Sequence, residues 1–203
     1  MASVTRGRAM SAEVAAFLDA AFAEAAREVV AEGGALDRLR AEIRAVAVAG
    51  GSIERLCVVA FEGGGWRWPA YDRWQEDFGL RYSDRPARDM GEMFAAMVVV
   101  GAKRRADRAR IEQGASTCPF VQFLPVIDSL TYTDCAIRNG EVWRVGEIDQ
   151  RRPVPPCGRI HCRCALAALT AAAAWKPSLK VRSQADDKAE AVMVVILSKS
   201  ETS

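Results

Sequence analysis

From Ser11 to Glu32 the apolar residues Val14, Phe17, Leu18, Ala21, Phe22, Ala25 and Val29 recur at helical spacing, with Ser11 placed to cap the start and Gly33-Gly34 to stop it. The same period predicts a second helix over Ala35 to Val48. Its apolar stripe is Leu36, Leu39, Ile43 and Val46, its charged face holds Asp37, Arg38, Arg40, Glu42 and Arg44, and Gly50-Gly51 ends it. Ser52 can cap a third segment through Leu56. The run Cys57 to Phe61 that follows is short and wholly apolar, so its periodicity fits a strand as well as a helix.

Gly63-Gly64-Gly65 breaks the pattern, and Trp66, Trp68, Pro69 and Trp74 follow it. The triplet lacks the Lys-Ser/Thr ending of a P-loop and the GxGxxG of a dinucleotide site, so it reads as a turn. The tryptophans read as core, with a partner-binding surface as the functional alternative. Arg88 to Gln113 predicts one long helix, with Met90, Met93, Phe94, Met97 and Val100 on one face. Its last part carries Lys103, Arg104, Arg105, Arg108 and Arg110 against Asp107 and Glu112, a local excess of three positive charges. Such a stretch is either a solvated face with i, i+3 and i, i+4 ion pairs or a surface for DNA phosphates or an acidic protein. With no aromatic residue between the charges, it is not a single-strand stacking platform.

After Ser116 the pattern shortens to runs separated by turn residues. Phe120 to Ile127 and Glu141 to Ile148, with Asn139-Gly140 between them, predict a β-hairpin. Pro153, Pro155 and Pro156 stiffen the approach to a cysteine-rich segment, Ala165 to Ala174 predicts a short helix, and Ala191 to Leu197 a buried strand. The fold class expected is α+β: a mainly helical region over 1–113, then a small Cys-rich hairpin module over 114–203 with a C-terminal helix and strand.

Of the 203 residues, 50% are hydrophobic and 27% charged, which excludes disorder along the whole chain. A net charge of +2 leaves no overall attraction to nucleic acid or an anionic membrane. The longest strongly apolar run, Phe94 to Gly101, is too short for a bilayer, and the start MASVTRGRAM leads into residues with Glu13, Asp19 and Glu24 rather than an apolar signal core. The protein is expected to stay in the cytoplasm of its producing cell.

In that reducing compartment cysteines serve as buried thiols, ligands or redox groups rather than as structural disulfides. Cys57 stands apart; Cys118, Cys135, Cys157, Cys162 and Cys164 share one region with the only histidine, His161. Cys135, Cys157, His161, Cys162 and Cys164 form the candidate structural cluster. Zinc takes four such ligands, yet there is no CxxC, and Cys162-Arg163-Cys164 is read as pointing its two thiols to opposite sides. Zinc, buried thiols and one disulfide all remain open. No catalytic residue is assigned, because nucleophilic catalysis needs a thiolate and an oriented base, and the sole histidine adjoins Cys162 in sequence. Asp128, Asp134, Glu147 and Asp149 read as turn and loop residues.

The stretches DSLTYTDCAIRNGEVW and PVPPCGRIHCRCAL together resemble the C-terminal module of the phage Mu F-like minor head proteins, also called head morphogenesis proteins. The matching positions are Asp128, Thr131, Cys135, Gly140, Pro153, Pro155, Pro156, Cys162, Arg163 and Cys164. Tyr132 stands where the family has the first Cys of a CxxC, and Arg159 where it has a His. The resemblance implies a non-enzymatic minor capsid protein at the portal side of a phage or phage-like head, acting in assembly or DNA delivery. It would be assembled in the host cytoplasm and located in the virion, without membrane or small-molecule substrate. Its partners would be the portal or major capsid protein and packaged DNA. The alternative is a small zinc-binding nucleic-acid module or nuclease of a mobile element, for which the same cysteines and the same basic helix would serve.

Overall fold

A computed structural model of the chain describes residues 10–62, 64–80, 86–150 and 154–174. The expected strand at Ala191 to Leu197, together with Pro153 and Gly63, lies outside them. The fold is α+β, a helical N-terminal half followed by small antiparallel pairing.

The first predicted helix forms in two pieces, α1 (Ala12–Ala15) and α2 (Leu18–Ala25). Ser11 caps α1 by accepting the Val14 amide at 3.3 Å. An i→i+3 bond from the Phe17 amide to Val14 tightens the backbone there and separates the two helices. The pattern does not continue to Glu32. Beyond Ala26 the β-branched Val29 and Val30 leave the helix, and β1 (Val30–Ala31) pairs antiparallel with β2 (Trp66–Arg67). That pairing brings the glycine turn back over the helices, with the Glu32 amide bonded to the Gly65 carbonyl at 2.9 Å.

Helix α3 spans Ala35–Val48 as the periodicity predicts, but its buried edge is Ala35, Leu39, Ile43 and Ala47. Leu36 and Val46 are only half-buried. Asp19 on α2 pairs with both Arg40 and Arg44 of α3, tying the two helices together at their rim. The ambiguous run after Ser52 is helical: α4 spans Ile53–Glu62, with Leu56, Val59 and Ala60 in the core. Helix α5 (Pro69–Asp77) opens on Pro69, whose missing N–H costs nothing in a first turn. Trp68 and Trp74 are buried and Trp66 is half-buried, so the tryptophans are core residues. They run in an aromatic chain from Phe22 and Phe94 through Trp68, Tyr71, Trp74 and Phe78 to Tyr132.

The long helix α6 (Pro86–Gln113) is the axis of this half and packs mainly on α4 and α2. Its deepest residues are Phe94, Ala95, Val98, Ala102 and Ala106, all at 0 to 1% exposure. On the apolar face that the spacing singles out, Phe94 is buried but Met93 and Met97 are only half-buried. A small-residue edge wins because it lets the backbones meet: a Cβ on Gly91 would stand 2.9 Å from the Phe61 amide nitrogen of α4.

In the second half β3 (Phe120–Leu124) is central, flanked by β4 (Val142–Arg144) and β5 (Ala165–Leu169), both antiparallel. The predicted hairpin strands do pair, Val121 opposite Trp143. They are not joined by a two-residue turn, however. Asn139-Gly140 closes a longer excursion that contains the short helix α7 (Thr133–Ala136), and the Gly140 amide bonds the Phe123 carbonyl at 2.9 Å. A 3-10 turn, Val145–Gln150, follows β4.

The helix expected over Ala165 to Ala174 is a correction. Residues 165–169 are strand β5 and only α8 (Ala171–Ala174) is helical, with Thr170 accepting the Ala173 amide. Alanine favours a helix locally, but β3 presents a free edge whose five residues all find partners in β5, and that long-range ladder overrides the propensity.

Gly91→Ala is expected to destabilise the protein by about 1–3 kcal/mol, because overpacking against the α4 backbone outweighs a helix-propensity gain of about 1 kcal/mol. Denaturant melts of Gly91→Ala beside Gly146→Ala, whose Cβ would meet nothing within 4 Å, measure the contrast.

Candidate functional site

The segment from Val154 to Cys164 lies over the junction between the helical half and the sheet. Ile160 is buried in the helical core, whereas Cys164 belongs to the core under the sheet, with Val121, Phe123, Cys135 and Trp143. Two left-handed residues shape the segment, Gly158 at φ 67° and His161 at φ 60°. At Gly158 glycine is favoured on two counts: the positive φ, and the Glu24 side chain, which would have to move aside because its Oε1 would stand 2.0 Å from a Cβ.

The turns bring together thiols that are far apart in sequence. Cys157 donates to the Cys162 sulfur at 3.2 Å. Cys162 also meets Cys164, and Cys164 meets Cys135, which α7 presents from below. Cys162 and Cys164 thus join one cluster, contrary to the expectation that they face apart. Successive side chains of an extended segment alternate, so i and i+2 share a side and it is Arg163 that points away.

The hydrogen bonds from Cys157 and Cys164 hold the Cys162 thiol far below its ordinary value. Cys157 and Cys164 are driven the other way, as donors and by burial. Contact with Cys164 lowers Cys135. All four are free cysteines. A spacing of 3.2 Å is wider than a disulfide, about 2.05 Å, and narrower than the roughly 3.8 Å between tetrahedral ligands placed 2.3 Å from zinc. Among the described residues no three Cys, His, Asp or Glu side chains are arranged to hold a metal ion.

Two ion pairs brace the cluster. Arg163 pairs through both terminal nitrogens with Asp128, which also accepts the Leu130 amide at 2.9 Å and the Thr131 hydroxyl at 3.2 Å. The Thr131 hydroxyl oxygen in turn accepts the Asp128 amide at 3.0 Å. Arg163 is the main reason the Asp128 carboxyl is held well below the carboxylate range. Arg159 pairs with Asp134 and lowers it in the same way, while its guanidinium lies 4.9 Å over the Tyr132 ring. Burial pushes the Tyr132 phenol up to about 12.

His161 does not join the thiols. Its ring stacks toward Trp74 at 5.6 Å, and burial, then Arg163, lowers its pKa. Of the other cysteines, Cys57 is half-buried on α4 and Cys118 lies half-buried before β3. Glu147 and Asp149 sit in the 3-10 turn, away from the thiols.

The five basic residues of α6 do not form one exposed stripe. Lys103 and Arg110 are exposed, and Arg110 pairs with Asp107 and with Glu13 of α1. Arg108 is half-buried and pairs with Glu112 and Asp149. Arg104 and Arg105 turn toward Asp107 and Glu24 at 3.5 and 4.0 Å. The braces Asp128–Arg163 and Asp134–Arg159 leave no local signal in the sequence, because each joins positions 25 or more apart.

No family model, curated protein or solved structure matches this chain.

The ion pairs fix the acid response. Asp128 and Asp134 have folded values below their ordinary 3.8, so their contribution is complete above about pH 4 and is lost as pH falls through the lowered values. Because Arg163 also lowers His161, the comparison is made in a common His161→Gln background, where the loss of melting temperature caused by Arg163→Gln should be constant above about pH 4 and shrink below it. His161 has a folded value below 6.5, so the unfolded chain takes up its proton first, and wild type should lose stability relative to His161→Gln as pH drops below about 6.5. Paired thermal melts from pH 8 to pH 3 check both.

Proposed function

We propose that the chain is a minor head protein of a phage or phage-like particle, related to the Mu F-like head morphogenesis proteins. It acts structurally at the portal side of the head, without catalysis of its own. The observation that carries this reading is the convergence of the motif residues. Asp128, Thr131 and Arg163 form one hydrogen-bonded unit, and Cys135, Cys162 and Cys164 one sulfur cluster beside it. Residues matched only by their order along the chain thus hold each other in space, as a module defined by those residues requires.

The two departures from the family pattern support the same reading. Tyr132 and Arg159 are 27 positions apart, yet the Arg159 guanidinium lies over the Tyr132 ring. Where the family places a Cys and a His, this chain places a cation and an aromatic face, a pairing that contributes about 0.5–2 kcal/mol. Cys157 supplies a further thiol to the cluster. In this reading the Cys loop is a rigid docking element, and α1 to α6 present surfaces to neighbouring subunits. The portal or major capsid protein is the partner, and exposed Lys103 is the basic group on α6 best placed for DNA or an acidic protein. Among the described residues no helix is long and apolar enough to cross a membrane.

Quantitative mass spectrometry of purified particles tests the proposal. A small fixed copy number relative to the major capsid protein, commensurate with a portal ring or one vertex, is the expected result; absence from intact particles overturns it. Cys162→Ala should lower stability by about 1–3 kcal/mol, by leaving the Cys157 and Cys164 thiols without their acceptor, and reduce incorporation into particles. Stoichiometric zinc together with salt-sensitive DNA binding by the free protein would point instead to the nucleic-acid module.

A further inference from the structure

A cavity of about 260 Å³ lies between α2, α6 and the Cys loop, just below the roughly 300–1,000 Å³ of drug-sized ligand sites and so suited to a smaller molecule. One wall is apolar: Ala21 and Ala25 of α2, and the half-buried Met93, Met97 and Val100 of α6. These three lie on the apolar face that the helical spacing singles out, on the side that the close packing of α4 leaves over. The opposite end carries Arg104, Arg105, Arg159, Arg163 and His161, with Glu24 as its carboxylate.

That end is short of negative charge and of hydrogen-bond acceptors. Arg159 and Arg163 each have a carboxylate of their own, Asp134 and Asp128. Arg104 and Arg105 have only shares: Asp107 already takes Arg110, and Glu24 already takes Arg27 at 2.7 Å. Arg104 Nε, Arg105 Nη1, His161 Nε2 and Arg163 Nε are all buried without a hydrogen-bond partner among the described residues, and all four residues line this cavity. Burial lowers the Arg105 pKa, as expected for a cation lacking a full counter-charge. An unmade hydrogen bond from a buried charged donor is costly, and an anion in the cavity would make several at once.

We propose that this cavity is a binding site for a compact amphipathic organic anion, its acidic head among Arg104, Arg105 and the Cys-loop arginines and its apolar body along Met93, Met97 and Val100. A neutral apolar molecule of the same size would fill the wall and leave the guanidinium groups unpaired. A cation would be repelled, and an inorganic anion would leave the apolar wall empty. The site borders the thiol cluster through Cys162, which lines the cavity, but the proposal uses no thiol chemistry and does not depend on a role in particles.

Calorimetric titration of the full-length protein with octanoate, octan-1-ol, octyltrimethylammonium and inorganic phosphate tests it. Octanoate is expected to bind at one site with a dissociation constant below about 1 mM, and octan-1-ol, the quaternary ammonium and phosphate about 10-fold or more weakly. Arg105→Gln should cost octanoate about 10-fold and leave octan-1-ol unchanged. It should not lower the melting temperature, because it removes an under-compensated cation; Arg104→Gln is the second variant of the same kind. Met97→Trp, which fills the apolar wall, should abolish binding of both, with folding checked by far-ultraviolet circular dichroism. Equal affinity for octanoate and octan-1-ol, octanoate binding unaffected by Arg105→Gln and Arg104→Gln in folded protein, or no octanoate binding at all would each overturn the proposal.

Discussion

Helix α6 meets α4 along an edge where Gly91 leaves no room for a side chain, and the placement of the other helices follows from that contact. Two helices whose backbones approach so closely gain dispersion contacts along their length, and any added atom must displace backbone rather than a flexible side chain. The rotation of α6 is thereby fixed. Ala95, Ala102 and Ala106 turn inward, Phe94 anchors the aromatic chain beneath β1 and β2, and the methionines are left at the flank facing the Cys loop. The cavity and its arginines are a consequence of that rotation, since Met93, Met97, Val100, Arg104 and Arg105 all lie on the face that α4 does not use.

The Cys loop closes over that flank by a different kind of force. It has few large apolar residues, and its order comes from directional contacts: a chain of sulfur contacts, two carboxylate–guanidinium pairs and one cation–π contact. Charge-assisted, bidentate bonds are well suited to this, because they specify orientation where a small loop cannot bury enough surface to do so. Ile160 and Tyr132 link the two regimes, Ile160 buried in the helical core and Tyr132 packed against Phe78.

Two helices were legible because each rests on a local period: α3 over Ala35–Val48 and the long α6 follow directly from their spacing, and Ser11 and Ser52 cap where their chemistry suggests. The convergence of the cysteines was partly legible, since Cys157, Cys162 and Cys164 are near in sequence. That Cys135 completes the cluster while His161 turns to Trp74 was not, because it depends on the left-handed turn at His161 and on where α7 is held. Nor was the neutralisation of Arg108 and Arg110, whose partners include Asp149 and Glu13, far from them along the chain.

The sequence by itself therefore determined the α+β class, the position of the long helix and the set of residues available to the site, all of which rest on spacing within a few turns or on composition. Tertiary structure decided whether an alanine run became a strand, which face of α6 was buried and which carboxylate met which arginine. The physical reason is the same in each case. Local propensities differ by less than about 1 kcal/mol per residue, so a free strand edge, a backbone contact at a glycine or a buried charge in need of a partner settles the choice among conformations that the local pattern leaves nearly equal.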